Sequence, residues 1–192
     1  ALADLLGIYD KYGIDVEIIK FNSGGDAVAA MLSGATDLGN NVGSDFALAS
    51  QLTDTPAYAV TVYKNRVFDG LFCQTAIKTA ADLKGKTIVY AQNSPSQYFI
   101  NNLLLNAGVQ PSTVTHKFTA TAFEAAAAFV ADKSIDACVS WAPDIYNIPE
   151  KVKGTRVLTT TAEANKLIAD VWAARADFAK DHPEVIKGLV AG

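Results

Sequence analysis

Four short stretches of this 192-residue sequence gather residues that could hold a small molecule. They are Asn22-Ser23-Gly24-Gly25-Asp26, Asn40-Asn41-Val42-Gly43-Ser44-Asp45, Gln92-Asn93-Ser94-Pro95-Ser96-Gln97-Tyr98 and Trp141-Ala142-Pro143-Asp144-Ile145-Tyr146. Each follows a strand-like run and opens a helix-like one. Helix starts expose unpaired N–H groups at the positive end of the helix dipole, which suits an anion or a neutral acceptor. The hydroxyls of Ser23, Ser44, Ser94 and Ser96 and the amides of Asn41 and Asn93 would add donors. Gly24 and Gly25 would let backbone approach a ligand closely. Asp26, Asp45 and Asp144 favour a neutral or cationic ligand, and no Lys or Arg occurs in the four stretches. Tyr98, Trp141 and Tyr146 offer faces for a flat ring or an ammonium group. Any one stretch alone reads as an ordinary cap, because caps prefer these residue types. Four of them, ending strands in both halves of the chain, favour binding.

Other chemistries find less support. No G-x-S-x-G elbow surrounds any serine. His116 lies within a strand-like run and His182 precedes Pro183, neither in a triad-like or metal-like setting. Cys73 and Cys138 stand singly, which suits buried thiols better than a metal site, and sequence leaves open whether they bond. Neither a metal-binding H-E-x-x-H nor a phosphate-binding G-x-x-x-x-G-K-[ST] occurs, so no cofactor is expected. A net charge of −4 with no basic stripe argues against nucleic acid. No apolar run reaches the roughly 18 residues of a membrane span.

The elements that must position these stretches alternate. Leu2 to Tyr12 reads as a helix ended by Gly13, and "IDVEIIKF" as a strand. Asp26 to Ser33 is a helix stopped by Gly34. "TDLGNN" is a strand, after which Ser44 caps a helix through Phe46, Leu48 and Leu52. "AYAVTVY", "GLFCQ", "KTIVYA", "TVTHKF", "IDACVSW", "TRVLTT" and "IADVWAA" are strands. Helices start at "NSPSQ", at the Thr121/Glu124 capping box and at "PDIY", and a last one spans Asp177 to Val190. This alternation predicts an α/β fold with mixed, mainly parallel sheets.

Read in order, "YDKYGIDVEIIKFNSGGDAVAAMLSGATDLGNN", "IKTAADLKGKTIVYAQNSPSQYFINNLLLNAGV", "DACVSWAPDI" and "ARADFAKDHPEVIKGLV" closely resemble the solute-binding proteins of ABC importers of the nitrate/sulfonate/taurine type. These share a superfamily with the thiamine-pyrimidine-precursor binders. The resemblance spans nearly the whole chain. It implies a two-lobed periplasmic-binding-protein-like (type II) fold with a hinge, residues 1–66 plus 167–192 forming one lobe and 67–166 the other. "AVTVYKNR" and the region from Leu167 to Trp172 would be the hinge crossings, and the four stretches would face each other across the cleft. It implies no catalysis, ABC permease subunits as partners, and a periplasmic or extracellular membrane-associated location, with any export signal outside this sequence.

Family members usually begin with a further strand and continue past the last helix, so the lobe that holds both ends is expected to have an open edge or gap. The expected ligand is an organic amine or pyrimidine ahead of a sulfonate- or nitrate-like anion. A sensory domain of a larger receptor is the alternative. The related biosynthetic enzymes carry clustered cysteines that this sequence lacks.

Overall fold

The computed structural model describes residues 2–50, 57–64, 68–163 and 167–191. In chain order the helices are α1 (Leu2–Leu5), α2 (Gly24–Ser33), α3 (Gly43–Ser50), α4 (Pro95–Asn106), α5 (Ala122–Ala131), α6 (Asp144–Lys151), α7 (Ala176–Asp181) and α8 (Pro183–Ala191). The strands are β1 (Leu38–Val42), β2 (Ala57–Lys64), β3 (Asp69–Gln74), β4 (Thr87–Ala91), β5 (Thr115–Thr119), β6 (Ala137–Trp141), β7 (Thr155–Thr160) and β8 (Ala169–Arg175). They form two sheets, one ordered β1-β8-β2 and the other β5-β4-β6-β3-β7.

The larger sheet is covered on both faces, and its central strands show why. Their side chains alternate between two cores, as the two-residue period of a strand requires. Leu71, Cys73, Ile88, Tyr90, Ala137 and Val139 face Phe99, Ile100 and Leu104 of α4. The intervening Phe72, Val89 and Cys138 face Ala125, Ala126 and Phe129 of α5 and Ile145 of α6. Near-continuous apolar runs such as "LFC" and "IVYA" are what a strand buried on both faces needs. The alanines of α5 let that helix lie close to the sheet, and its start carries the expected reciprocal cap between Thr121 and Glu124.

β4 runs parallel to β5 and β6, whereas β3 pairs antiparallel with β6 and β7. In the smaller sheet β8 is antiparallel to both β1 and β2, and the β2–β8 register slips between Thr61 and Tyr63. The larger sheet is therefore mixed and the smaller one antiparallel, and parallel pairing, which was expected to predominate, is confined among the described residues to β5-β4-β6.

Three elements differ from the sequence reading. The first helix breaks at Gly7, whose φ of 61° is left-handed, leaving α1 and a separate 3-10 turn at Tyr9–Tyr12. The last helix divides into α7 and α8 at His182-Pro183, where a proline cannot continue the ladder. Residues 14–21, read as a strand, pair with no strand among the described residues. A groove of about 660 Å³, lined by Ile14, Val16 and Ile18 on one side and Leu38 and Asn40 on the other, separates them from β1. The pattern was strand-like, but a ladder needs a neighbour within hydrogen-bonding reach. Leu52, read as part of the third helix, lies outside the described residues.

His116 serves the fold. Its Nε2 lies 2.8 Å from the Pro111 carbonyl, which can only accept, so Nε2 carries the proton. Nδ1 then accepts from the Tyr90 hydroxyl at 2.6 Å. Burial pushes the Tyr90 hydroxyl up to about 12, so it remains a donor throughout the neutral range. Tyr90→Phe is expected to cost about 1 kcal/mol, the worth of a partly buried hydrogen bond whose acceptor is left unpaired. A lower urea midpoint at unchanged slope would register it.

Candidate functional site

The larger sheet brings three of its strand ends to one edge. Because β4, β5 and β6 are parallel, α4, α5 and the loop before α6 all start at the same side. α3, from the smaller sheet, meets α4 there. Between them lies a cavity of about 210 Å³. At about 30 Å³ per water this is the space of roughly seven waters, suited to a small molecule. α3 contributes Ser44, Asp45 and Leu48, and the other wall is Asn93, Ser94, Gln97, Tyr98 and Asn101. The 660 Å³ groove is larger, but it runs between β1 and residues 14–21, which pair with no strand among the described residues. The smaller cavity is where polar side chains from both sheets converge, and it is the candidate site.

Each wall is held by its own local chemistry. Ser94 is the N-cap of α4; it accepts from the Ser96 N–H at 3.2 Å and donates to the Ala91 carbonyl at 2.8 Å. Asn93 is left-handed, with φ of 50°, and its N–H donates to Gln97 Oε1 at 2.7 Å. That fold-back places Gln97 against the loop. On the opposite wall α3 starts at Gly43, so Ser44 sits inside the first turn instead of capping it. Its hydroxyl leans toward Asp45 Oδ1 at 3.5 Å. Asn41 Oδ1 accepts from the Val42 N–H at 2.8 Å, and its Nδ2 is buried beside Asp45.

Asp45 is 8 % exposed. Burial pushes its carboxyl up to about 6, and the Ser44 hydroxyl and the Asn41 amide pull it back in part. The start of α2 closes the space behind it. A Cβ on Gly24 would run into the Asn41 amide and the Asp45 carboxylate, so backbone alone fits there. Ser23 caps α2 by accepting from the Asp26 N–H at 3.2 Å.

Of the residues singled out by sequence, Ser44, Asp45, Asn93, Ser94 and Tyr98 share the cavity. Ser23, Gly24 and Asn41 line the neighbouring groove and join the site through the Gly24–Asn41–Asp45 contact. Gly25, Asp26, Ser96, Trp141 and Asp144 line neither space, and Ser96 is fully buried. Trp141 nonetheless ends β6 at the same sheet edge, its ring edge-on to Phe123 at 5.6 Å. Sequence reading placed Gln97 in its third stretch without giving it a role, and passed over Phe123 and Asn101. Gln97 and Asn101 had a usable signal: they lie one turn apart, on the face of the helix that Ser94 caps.

The description of the NMT1/THI5-like family matches residues 1–192. The chain belongs to that family. A curated relative in Escherichia coli, the taurine-binding periplasmic protein, is 30% identical over 180 residues, covering 92% of this chain and 55% of the relative. A Brucella abortus relative, named only as a binding protein, is 28% identical over 204 residues, covering all of this chain and 59% of that protein. The chain thus spans little more than half the length of these family members.

Two solved structures share the fold. The periplasmic aliphatic sulphonate binding protein of Escherichia coli aligns with a TM-score of 0.82 at 24% identity, over 97% of this chain and 63% of that one. The periplasmic nitrate-binding protein of Synechocystis aligns at 0.76 and 18% identity, over 98% and 55%. The family fold is the type II periplasmic-binding one, as the sequence resemblance implied. Among the described residues, no helix is long and apolar enough to cross a membrane.

Proposed function

We propose that the chain is the ligand-capturing part of an extracytoplasmic solute-binding component of an ABC importer. The observation that carries this reading is the shared cavity: Ser44 and Asp45 reach it from one sheet, Asn93, Ser94 and Tyr98 from the other. A molecule held there contacts both halves at once and so favours their closed arrangement. The halves are residues 1–66 plus 167–192 and residues 67–166, with β2 and β8 as the crossings. The register slip between Thr61 and Tyr63 supports a bend there. The closed form would present its surface to permease subunits at the membrane.

Binding proceeds without bond-making. Burial pushes the Cys73 thiol up to about 11 and the Cys138 thiol well above its usual value, so neither supplies a thiolate near neutral pH. Spin labels at the exposed Lys11 and Lys133, one in each half, should move closer on saturation with the cognate ligand, taurine and short sulfonates being the first candidates. Unchanged separation at saturating, calorimetrically verified binding would refute hinge closure.

A further inference from the structure

We infer that Asp45 anchors a cationic nitrogen of the ligand, so that the cavity takes a small amine or aminoacid-like zwitterion in preference to a simple anion. This rests on the binding reading above and specifies its substrate class. Asp45 is more than nine-tenths buried and lines the cavity. Its neighbours are neutral: the Ser44 hydroxyl and the Asn41 amide. No Lys, Arg or His lines the cavity. The titratable groups on the elements packed against α3 are Asp26 of α2, Asp170 and Arg175 of β8, and Tyr98 of α4. Arg175 is committed elsewhere, to Asp177 at 3.1 Å and to the Met31 carbonyl at 3.1 Å.

A buried carboxylate is costly unless it is paired and hydrogen-bonded. Here its immediate neighbours are the neutral Ser44 hydroxyl and Asn41 amide, and no cationic side chain lines the cavity wall to which Asp45 belongs. A bare sulfonate or nitrate entering beside Asp45 would meet a like charge. A protonated amine would meet its counter-charge. The opposite wall can serve an acid group on the same molecule, because it carries Ser94 and Asn93 at the α4 start.

Titration calorimetry with taurine, ethylamine, ethanesulfonate and nitrate tests this at pH 8. Taurine and ethanesulfonate differ mainly by the ammonium group. Taurine or ethylamine is expected to bind at least tenfold more tightly than ethanesulfonate. Asp45→Asn should erase that preference, with circular dichroism checking that the variant is folded. In the wild type, affinity for the amine-bearing probe should fall between pH 7 and pH 5 as Asp45 takes up a proton, while ethanesulfonate shows no such loss. Equal wild-type affinity for taurine and ethanesulfonate would overturn the inference without needing the variant. So would an amine preference that survives in Asp45→Asn. Binding of nitrate or ethanesulfonate alone would overturn it too, yet leave the solute-binding reading standing. Silence from all four probes would count against both.

Discussion

Phe72→Ala is expected to remove about 3–5 kcal/mol of stability, the usual cost of truncating a fully buried phenylalanine. Phe72 has no exposed surface, and its ring meets that of Phe129 edge-on at 5.1 Å. It sits on a central strand, between β6 and β7. α5 and α6 both pack on that face, so neither helix can move in to fill the space without leaving the sheet. A domain of this kind has about 5–15 kcal/mol in total. The variant should therefore unfold at a much lower urea concentration, and be partly unfolded at 37 °C if the parent lies at the low end. Phe123→Ala provides the control. Phe123 is 51% exposed, and its loss should leave the midpoint nearly unchanged. Equal shifts for the two would mean that the core is not where the structure puts it.

Asp45→Asn is expected to stabilise the ligand-free protein at pH 8, an unusual sign for a mutation at a buried polar site. The folded-state pKa is raised, from 3.8 to about 6. Between those two values the native state holds a proton that the unfolded state has released. Stability then falls as pH rises through this window, and remains lower above it. At 1.36 kcal/mol per unit, the penalty carried at pH 8 is on the order of 3 kcal/mol. An amide at this position has no charge to desolvate and avoids most of it. Thermal melts of the two proteins should coincide near pH 4 and separate with the variant higher at pH 8. If the wild type is instead the more stable at pH 8, the carboxylate has a compensating partner, and its availability to a ligand cation falls with it. A stabilised variant that binds amines poorly would show that stability is given up at this position for recognition.

The sequence by itself settled a good deal. The apolar runs at 71–73, 88–91 and 137–139 had to be buried strands, and several of the Ser, Thr and Gly residues at element ends marked where helices begin or stop. Ser94 and the Thr121–Glu124 pair cap as their spacing requires, and Gly13 and Gly34 take left-handed backbone. These are local effects, decided within a few residues, so they are readable along the chain. Order of motifs carried the family.

Three-dimensional packing decided the rest. Residues 14–21 have a strand's alternation and no strand beside them, because pairing depends on a partner distant in sequence. Four helix starts looked equivalent, yet only α3 and α4 converge on the cavity; the starts of α2 and α6 do not line it. Ser96 and Ser94 are two residues apart in the same turn. One is buried and the other lines the cavity, a distinction set by which face α4 turns to the sheet. The character of Asp45 is the clearest case. In the sequence it is one acid among three near helix starts. Its raised pKa comes from the closing of α2, with its unsubstituted Gly24, over a carboxylate that would otherwise be hydrated. Desolvation is a property of the surroundings, and those come together only when distant segments pack.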